Sequence, residues 1–348
     1  MANILASLKA NQSLKRRLLS PQIGIPLVAL VLVIALLTNK VDIGFSDTWE
    51  HITTLSPWWY AAAFVSHYST FIFRGARWRV LIANAHRHGG GPPPSVAYAG
   101  RIILMGWFVN SVTWFRMGDA YRAYAYSSDT NTSFSRSMGT VMADRFIDLI
   151  VVALLITIGV GALFIGGQIV PPVLLVVVAA GALVVVGLGL MGMILARRWV
   201  APRLPEKSRD AYHRFHSGTM DSFGRMHVVF ALGVLGWLSE AGRLFCVVMA
   251  VGTPVALGLV LFVPMANGLL TAVPLTPGGL GLVETGVTGL LGLELAVEAA
   301  LAVALVDRSI SYVSIVALGG AVFVARQVRA AKQAYVQETH ASEKGEKA

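Results

Sequence analysis

Apolar residues in this chain come in long runs rather than in the short alternations of a soluble fold. Six runs, about 22–38, 57–82, 137–165, 172–196, 226–251 and 297–325, approach or exceed the roughly 20 residues that a helix needs to cross a bilayer. Two further apolar stretches, about 96–126 and 256–293, are interrupted. The first breaks near Phe115–Gly118. The second breaks at Pro274–Gly281, where two prolines and three glycines cannot continue a helix. Two full crossings need roughly 40 residues, more than the first stretch provides. Each stretch is therefore expected to enter and leave on one side as a pair of half-helices, under cover of protein or water. The predicted fold class is all-α, a polytopic helical membrane protein with about six full spans and two re-entrant hairpins.

Composition supports a membrane domain. Only 13% of the 348 residues are charged, 55% are hydrophobic, and the mean hydropathy is +0.67. A soluble globule carries about 25% charged residues. The net charge of +10 follows the spans instead of pointing to nucleic acid. Lys15, Arg16 and Arg17 precede the first run, and the run lacks a small-residue cleavage site, so it reads as an uncleaved span. Asp42, Asp47 and Glu50 follow it. Arg74, Arg77, Arg79 and Arg87 end the next span, and Arg74 and Arg79 read as interfacial, snorkelling side chains. The loop 197–225 is rich in Arg and Lys. The positive-inside rule then puts both termini and this loop in the cytoplasm of a bacterial or archaeal cell. Segment 1–21 is a cytoplasmic lead-in and 326–348 a polar cytoplasmic tail. Between them, one half covers about 57–165, a connector span 172–196, and a second half about 226–325. The connector's Gly181, Gly187, Gly189 and Gly192 are expected to allow close helix packing. Cys246 stands alone, so no internal disulfide is possible.

A polar signature occurs twice, roughly 160 residues apart in the chain and in the same order. The first copy is Arg77, Asn110, Arg116, Asp119 and Asp144-Arg145. The second is Arg243, Asn267, Pro277-Gly278-Gly279, Glu284 and Asp307-Arg308. Charges within a membrane are costly and mark pathways or sites. With the topology above, the two copies run in opposite directions, an inverted repeat of the transporter type.

The candidate chemistry is anion binding. Gly278, Gly279 and Gly281 expose backbone amides at the start of a new helix bearing Glu284, a setting that attracts phosphate. Arg116, Asp119 and Arg122 lie at i,i+3 spacings, placing a carboxylate between two guanidiniums. These either grip a phosphate or brace the hairpin. Arg77 and Arg243 join the candidate binding residues. Asn110 and Asn267 sit where each helix stops and are suited to capping freed backbone groups. Asp144, Arg145, Asp148, Glu240, Asp307 and Arg308 read as structural ion pairs, with Arg145–Asp148 and Glu240–Arg243 paired at i,i+3. Asp144 and Arg145, being adjacent, point apart. No Walker, dinucleotide or zinc-protease motif is present in the sequence, and no cofactor or metal is expected.

Arg77-Trp78, Asn110 through Arg122, Asp144-Arg145-Phe146-Ile147-Asp148, Pro277-Gly278-Gly279-Leu280-Gly281 with Glu284, and Arg308 with Tyr312 resemble the lysylphosphatidylglycerol synthase transmembrane-domain family of flippase-like membrane proteins. The resemblance covers about 20–325. The family usually has proline before the first-break arginine, where Trp114-Phe115 stands here, and Glu where Asp119 and Asp144 stand. Little more than twenty residues follow the last span, whereas synthases continue into an aminoacyl-transferase domain. The resemblance thus implies movement or binding of an anionic phospholipid or polyisoprenoid phosphate, not lysyl transfer. The alternatives are a lipid-binding accessory protein for a glycosyl- or acyl-transferase, and a membrane enzyme acting on a lipid headgroup. Expected partners are membrane lipid and either a second copy or a lipid-modifying enzyme.

Overall fold

The computed structural model describes residues 45–86, 92–113, 116–165, 173–271 and 276–330. The proposed first span, the tips around Trp114-Phe115 and Pro274, and the end of the polar tail lie outside these residues. Among the described residues the chain is helical and has no strand. In chain order the helices are α1 (Phe45–Thr53), α2 (Pro57–Ala85), α3 (Val96–Val112), α4 (Met117–Thr130), α5 (Phe134–Ile165), α6 (Val173–Trp199), α7 (Glu206–Met220), α8 (Met226–Val251), α9 (Leu257–Leu270), α10 (Leu282–Leu291) and α11 (Val297–Arg308). The last continues to Ala330 through two π-helical segments, Ser309–Val313 and Ile315–Gly319. Among the described residues, three helices are long and apolar enough to cross a membrane: Phe134–Ala162, Met226–Val251 and Val297–Ala330. The α2 helix has the length but carries Arg74, Arg77 and Arg79.

The two halves meet along α2 and α8, which form the most extensive helix pair among the described residues. Their contacts run in opposite directions. The Ser56 amide donates to the Ala250 carbonyl (2.8 Å), Ser66 Oγ to Ser239 (2.9 Å) and Thr70 Oγ1 to Gly236 (3.1 Å). As numbering rises on α2 it falls on α8, so the helices are antiparallel. That is the relation an inverted repeat requires.

Both interrupted stretches are helical hairpins. In the first, α3 ends at Val112, Thr113 is extended, and Arg116 adopts a left-handed conformation (φ 52°) before α4 begins. The chain thus breaks without a proline. A positive φ on a non-glycine residue costs energy and persists where its surroundings fix it. Here Asn110 Oδ1 accepts the Gly118 amide at 2.8 Å across the break. Gly118 also lies so near the Gly106 carbonyl and Asn110 that a Cβ has no space. In the second, α9 ends at Leu270, and Gly278, Gly279 and Gly281 take positive φ before α10. The α3 helix packs on the π-helical part of the last helix, and α9 packs on α5. Each hairpin therefore leans on the long helix of the other half.

The ends of the bundle sort by charge. At one end the last turn of α2 meets the segment before α8, with Asn84 Nδ2 donating to Ser222 (3.0 Å) and Gly224 (2.6 Å). This end has a basic excess from Lys207, Arg209, Arg214 and Arg225. At the other end α1 touches the start of α11 through Thr48 and Glu298, and Asp47, Glu50, Glu294 and Glu298 gather there. The basic loop is not merely a loop: α7 within it packs on α5 where Gly139 and Gly218 meet backbone to backbone. The packing expected of the connector glycines is corrected for the described residues: among them nothing lies within 4 Å of the Cβ position of Gly181, Gly187 or Gly192, and Gly189 alone of the four meets a neighbour, Phe146. The α6 helix instead exposes Val173, Val177, Leu188 and Met191, the apolar face of a helix bordered by lipid.

Candidate functional site

Two buried ion-pair networks lie in the helix bundle, one in each half. The first joins α2, α4 and α5. Arg77 Nε donates to Asp144 (2.8 Å), and its Nη2 to Asp148 (2.8 Å). Arg74 also reaches Asp148, at 3.1 Å, and the indole of Trp237 donates to the same carboxylate at 3.1 Å. Arg122 holds the other oxygen of Asp144 (3.1 Å) and lies over the ring of Trp78. Arg145 turns the opposite way from Asp144, bonding Asp119 on α4 (2.9 Å) and Asp148 (3.1 Å).

The second network repeats the first in the other half. Arg243 Nε donates to Asp307 at 2.8 Å, as Arg77 does to Asp144. Arg308 donates to Glu284 on α10 (2.6 Å), as Arg145 does to Asp119. Arg243 also holds Glu240 at 2.7 Å. Glu284 closes a turn by accepting the Gly281 amide (2.7 Å), and Arg308 bonds the Gly278 carbonyl (2.9 Å). In both halves, then, a long-helix arginine binds the Asp of the Asp-Arg pair, and the Arg of that pair ties down the acid on a half-helix. Burying such charges is costly unless each is paired and hydrogen-bonded; each of these side chains has an ion-pair partner, although Arg77 Nη1, Arg122 Nε and Glu240 Oε1 are buried without a hydrogen bond among the described residues.

Between the networks, the described residues that flank the two breaks border an open-sided cavity of about 440 Å³. Arg116 Nη1 donates to the Thr271 carbonyl at 2.8 Å, and Tyr312 Oη donates to the Ser111 carbonyl at 3.3 Å. Of the candidate binding residues, Asn110, Arg116, Asp119, Arg243, Asn267, Gly278 and Gly279 line the cavity. Arg77, Arg122, Gly281 and Glu284 stand behind its wall as supports. Arg145, Asp148, Glu240 and Arg308 line it while also serving in ion pairs; Asp144 and Asp307 only brace.

Three expectations are corrected. Asp119 does not sit evenly between Arg116 and Arg122: it pairs with Arg145, stands 3.8 Å from Arg122, and has no ion pair with Arg116. The left-handed turn at Arg116 aims its side chain across to the other hairpin. Arg74 does not snorkel. It is 5% exposed, lines the cavity, and lies over the rings of Trp237 (4.7 Å) and Trp107 (5.4 Å). Its spacing of three from Arg77 puts both on one helix face, a signal visible in the sequence. Asn267 does not cap as Asn110 does: its Oδ1 is buried without a partner. Trp107, Trp237 and Tyr312 were missed as cavity walls, since hydropathy locates a span without its inward face. Among the described residues no cluster of His, Cys, Asp or Glu is arranged to hold a metal ion.

The profile of the family described as "Lysylphosphatidylglycerol synthase TM region" matches residues 23–319, and the chain belongs to that family. A comparison with curated proteins gives no match. Family and fold together make this an integral membrane protein of the lipid-related class.

Proposed function

We propose that this membrane protein is a lipid flippase or transporter that takes the phosphate of an anionic phospholipid or a polyisoprenoid phosphate between its two hairpin tips. The reading rests on Arg116. It faces the cavity, bonds only a backbone carbonyl of the opposite hairpin, and has no carboxylate within ion-pair distance among the described residues. A half-buried guanidinium without an anion is left partly uncompensated, and its planar fork matches a phosphate. The charges around it favour an anion as well: Arg74, Arg77, Arg116, Arg122 and Arg145 outnumber Asp119, Asp144, Asp148 and the nearby Glu240. The cavity volume suits a headgroup, with acyl or prenyl chains left in the bilayer. The protein acts without a cofactor and without changing the lipid chemically. It sits in the cytoplasmic membrane with the basic end of the bundle, and both termini, inside.

The test is a leaflet assay in proteoliposomes with fluorescent phosphatidylglycerol, fluorescent polyprenyl phosphate and a phosphatidylcholine control. The anionic probe should move in a protein-dependent way, Arg116→Ala should slow it at least about tenfold, and Arg116→Lys should retain part of the rate. Saturable binding without movement would instead identify an accessory protein, and a chemically altered probe an enzyme.

A further inference from the structure

The repeat is not electrically symmetric, and the difference centres on His67. Arg74 and Asp148 in the first half correspond to Glu240 and Ser311 in the second, each three residues before the long-helix arginine or after the Asp-Arg pair's arginine. Arg243 is thus left between two carboxylates, Glu240 (2.7 Å) and Asp307 (2.8 Å), and this group is one positive charge short of balance. His67, fully buried on α2, faces the gap.

Its Nδ1 lies 3.1 Å from Arg243 Nη1 and 3.5 Å from Glu240 Oε1. Arginine can only donate, so a neutral His67 accepts through Nδ1 and carries its proton on Nε2. In that state Nε2 and Glu240 Oε1 are both buried without partners. A second proton, on Nδ1, reverses the bond: Nδ1–H donates to Glu240 Oε1, and the missing charge is supplied. The other charged and titratable groups around the cluster are Tyr68 and Arg74 on α2 and Asp307 and Arg308 on α11. The α3 helix presents the Trp107 ring, 6.0 Å from the imidazole, and its only charged residue, Arg101, is exposed. Trp107 also carries Arg74 on its ring, so His67 is one side chain removed from the cavity's arginines. Glu240 and Arg243 line the cavity; the Glu240 carboxylate provides the route for a proton, while Arg243 stays charged.

We propose that His67, Glu240 and Arg243 form a proton-binding site whose occupancy is coupled to anion binding in the cavity. Protonation adds positive charge beside the site and releases Arg243 Nη1 from the imidazole. A proton and an anionic lipid therefore favour each other, and a pH gradient becomes a driving force for the lipid. The coupling rests on the transporter reading above; the proton site does not.

Two measurements separate them. In nanodiscs, nitrogen-15 NMR of labelled histidine should show an imidazole signal that changes from the neutral to the protonated form as pH is lowered, is absent from His67→Gln, and is displaced in Glu240→Gln. An imidazole at His67 that stays neutral throughout overturns the proton site, whether or not lipid moves. Affinity for fluorescent phosphatidylglycerol, measured on the same nanodiscs, should fall as pH rises, by up to about tenfold per pH unit, the limit for one coupled proton. His67→Gln should flatten that slope. A flat wild-type profile, or an unchanged slope in His67→Gln, overturns the coupling, while absence of any lipid binding with a titrating His67 overturns the transporter reading and leaves the proton site standing.

Discussion

Replacing Asp144 by Asn tests whether the buried networks hold the fold. Asp144 is 2% exposed and accepts from Arg77 at 2.8 Å and Arg122 at 3.1 Å. Asparagine keeps the shape and one acceptor but removes the charge. Arg77 retains Asp148, whereas Arg122 is left with Asp119 at 3.8 Å. A charge pair at about 4 Å is worth on the order of 4 kcal/mol at an effective dielectric of 20. Breaking a buried pair by removing one partner costs about 3–5 kcal/mol. At about 2 °C per kcal/mol, the apparent Tm in nanodiscs should drop by roughly 6–10 °C. Tryptophan fluorescence is a suitable probe, because Trp78 lies under Arg122. The control is Asp129→Asn, which removes the more exposed Arg326 pair, worth about 0–1 kcal/mol. Combining Asp144→Asn with Arg122→Gln should cost less than the sum of the two. An Asp144→Asn protein within about 2 °C of wild type, or a control equally damaging, would refute the bracing role.

Gly118→Ala should prevent the first hairpin from closing, since the new methyl would stand 2.6 Å from Asn110 Oδ1 and closer still to the Gly106 carbonyl; a sharp loss of folded protein by size-exclusion chromatography is expected. Asn110→Ala should cost about 1–2 kcal/mol, the loss of a cap, while Asn267→Ala should be near neutral because its Oδ1 has no partner. Equal effects on Tm would show that the two hairpins are held alike. Gly218→Ala should detach α7 from α5, where its Cβ would stand 3.0 Å from Arg136 Cα and nearer its carbonyl; faster proteolysis of the 197–225 segment is the readout.

Spans and breaks were legible because apolar run length and Pro/Gly interruptions act locally. Met226–Val251 coincides with the predicted 226–251, and Phe134–Ile165 differs from 137–165 by three residues at one end. The i,i+3 pairs were legible for the same reason, and Arg145–Asp148 and Glu240–Arg243 both form. What crosses between helices was not. Nothing along the chain says that Asp119 will find Arg145 before Arg122, because that choice depends on how α4 rotates against α5. Arg74 shows the same limit: its place near a span's end suggests the interface, whereas the face it shares with Arg77 turns it inward. In the basic loop, charge masked a helix whose Tyr212, His216 and Thr219 recur at the spacing of one face.

The duplication explains the geometry, and the departures from it locate the chemistry. Arg77–Asp144 and Arg243–Asp307 are interchangeable in kind, as are Arg145–Asp119 and Arg308–Glu284. Such contacts fix each hairpin to its long helix and need no ligand to account for them. Arg116 and Arg122 have no basic counterpart, since Gly281 and Val287 stand three residues before and after Glu284 as those arginines stand about Asp119. Arg74 likewise answers to Glu240. A single protein that binds by symmetry alone would treat its two faces alike. Here one network carries surplus positive charge and the other a deficit, both bordering one cavity, so an anion bound there, as proposed, would meet a field with a direction. That direction, rather than the repeat itself, is what the substitutions at Arg116 and His67 probe.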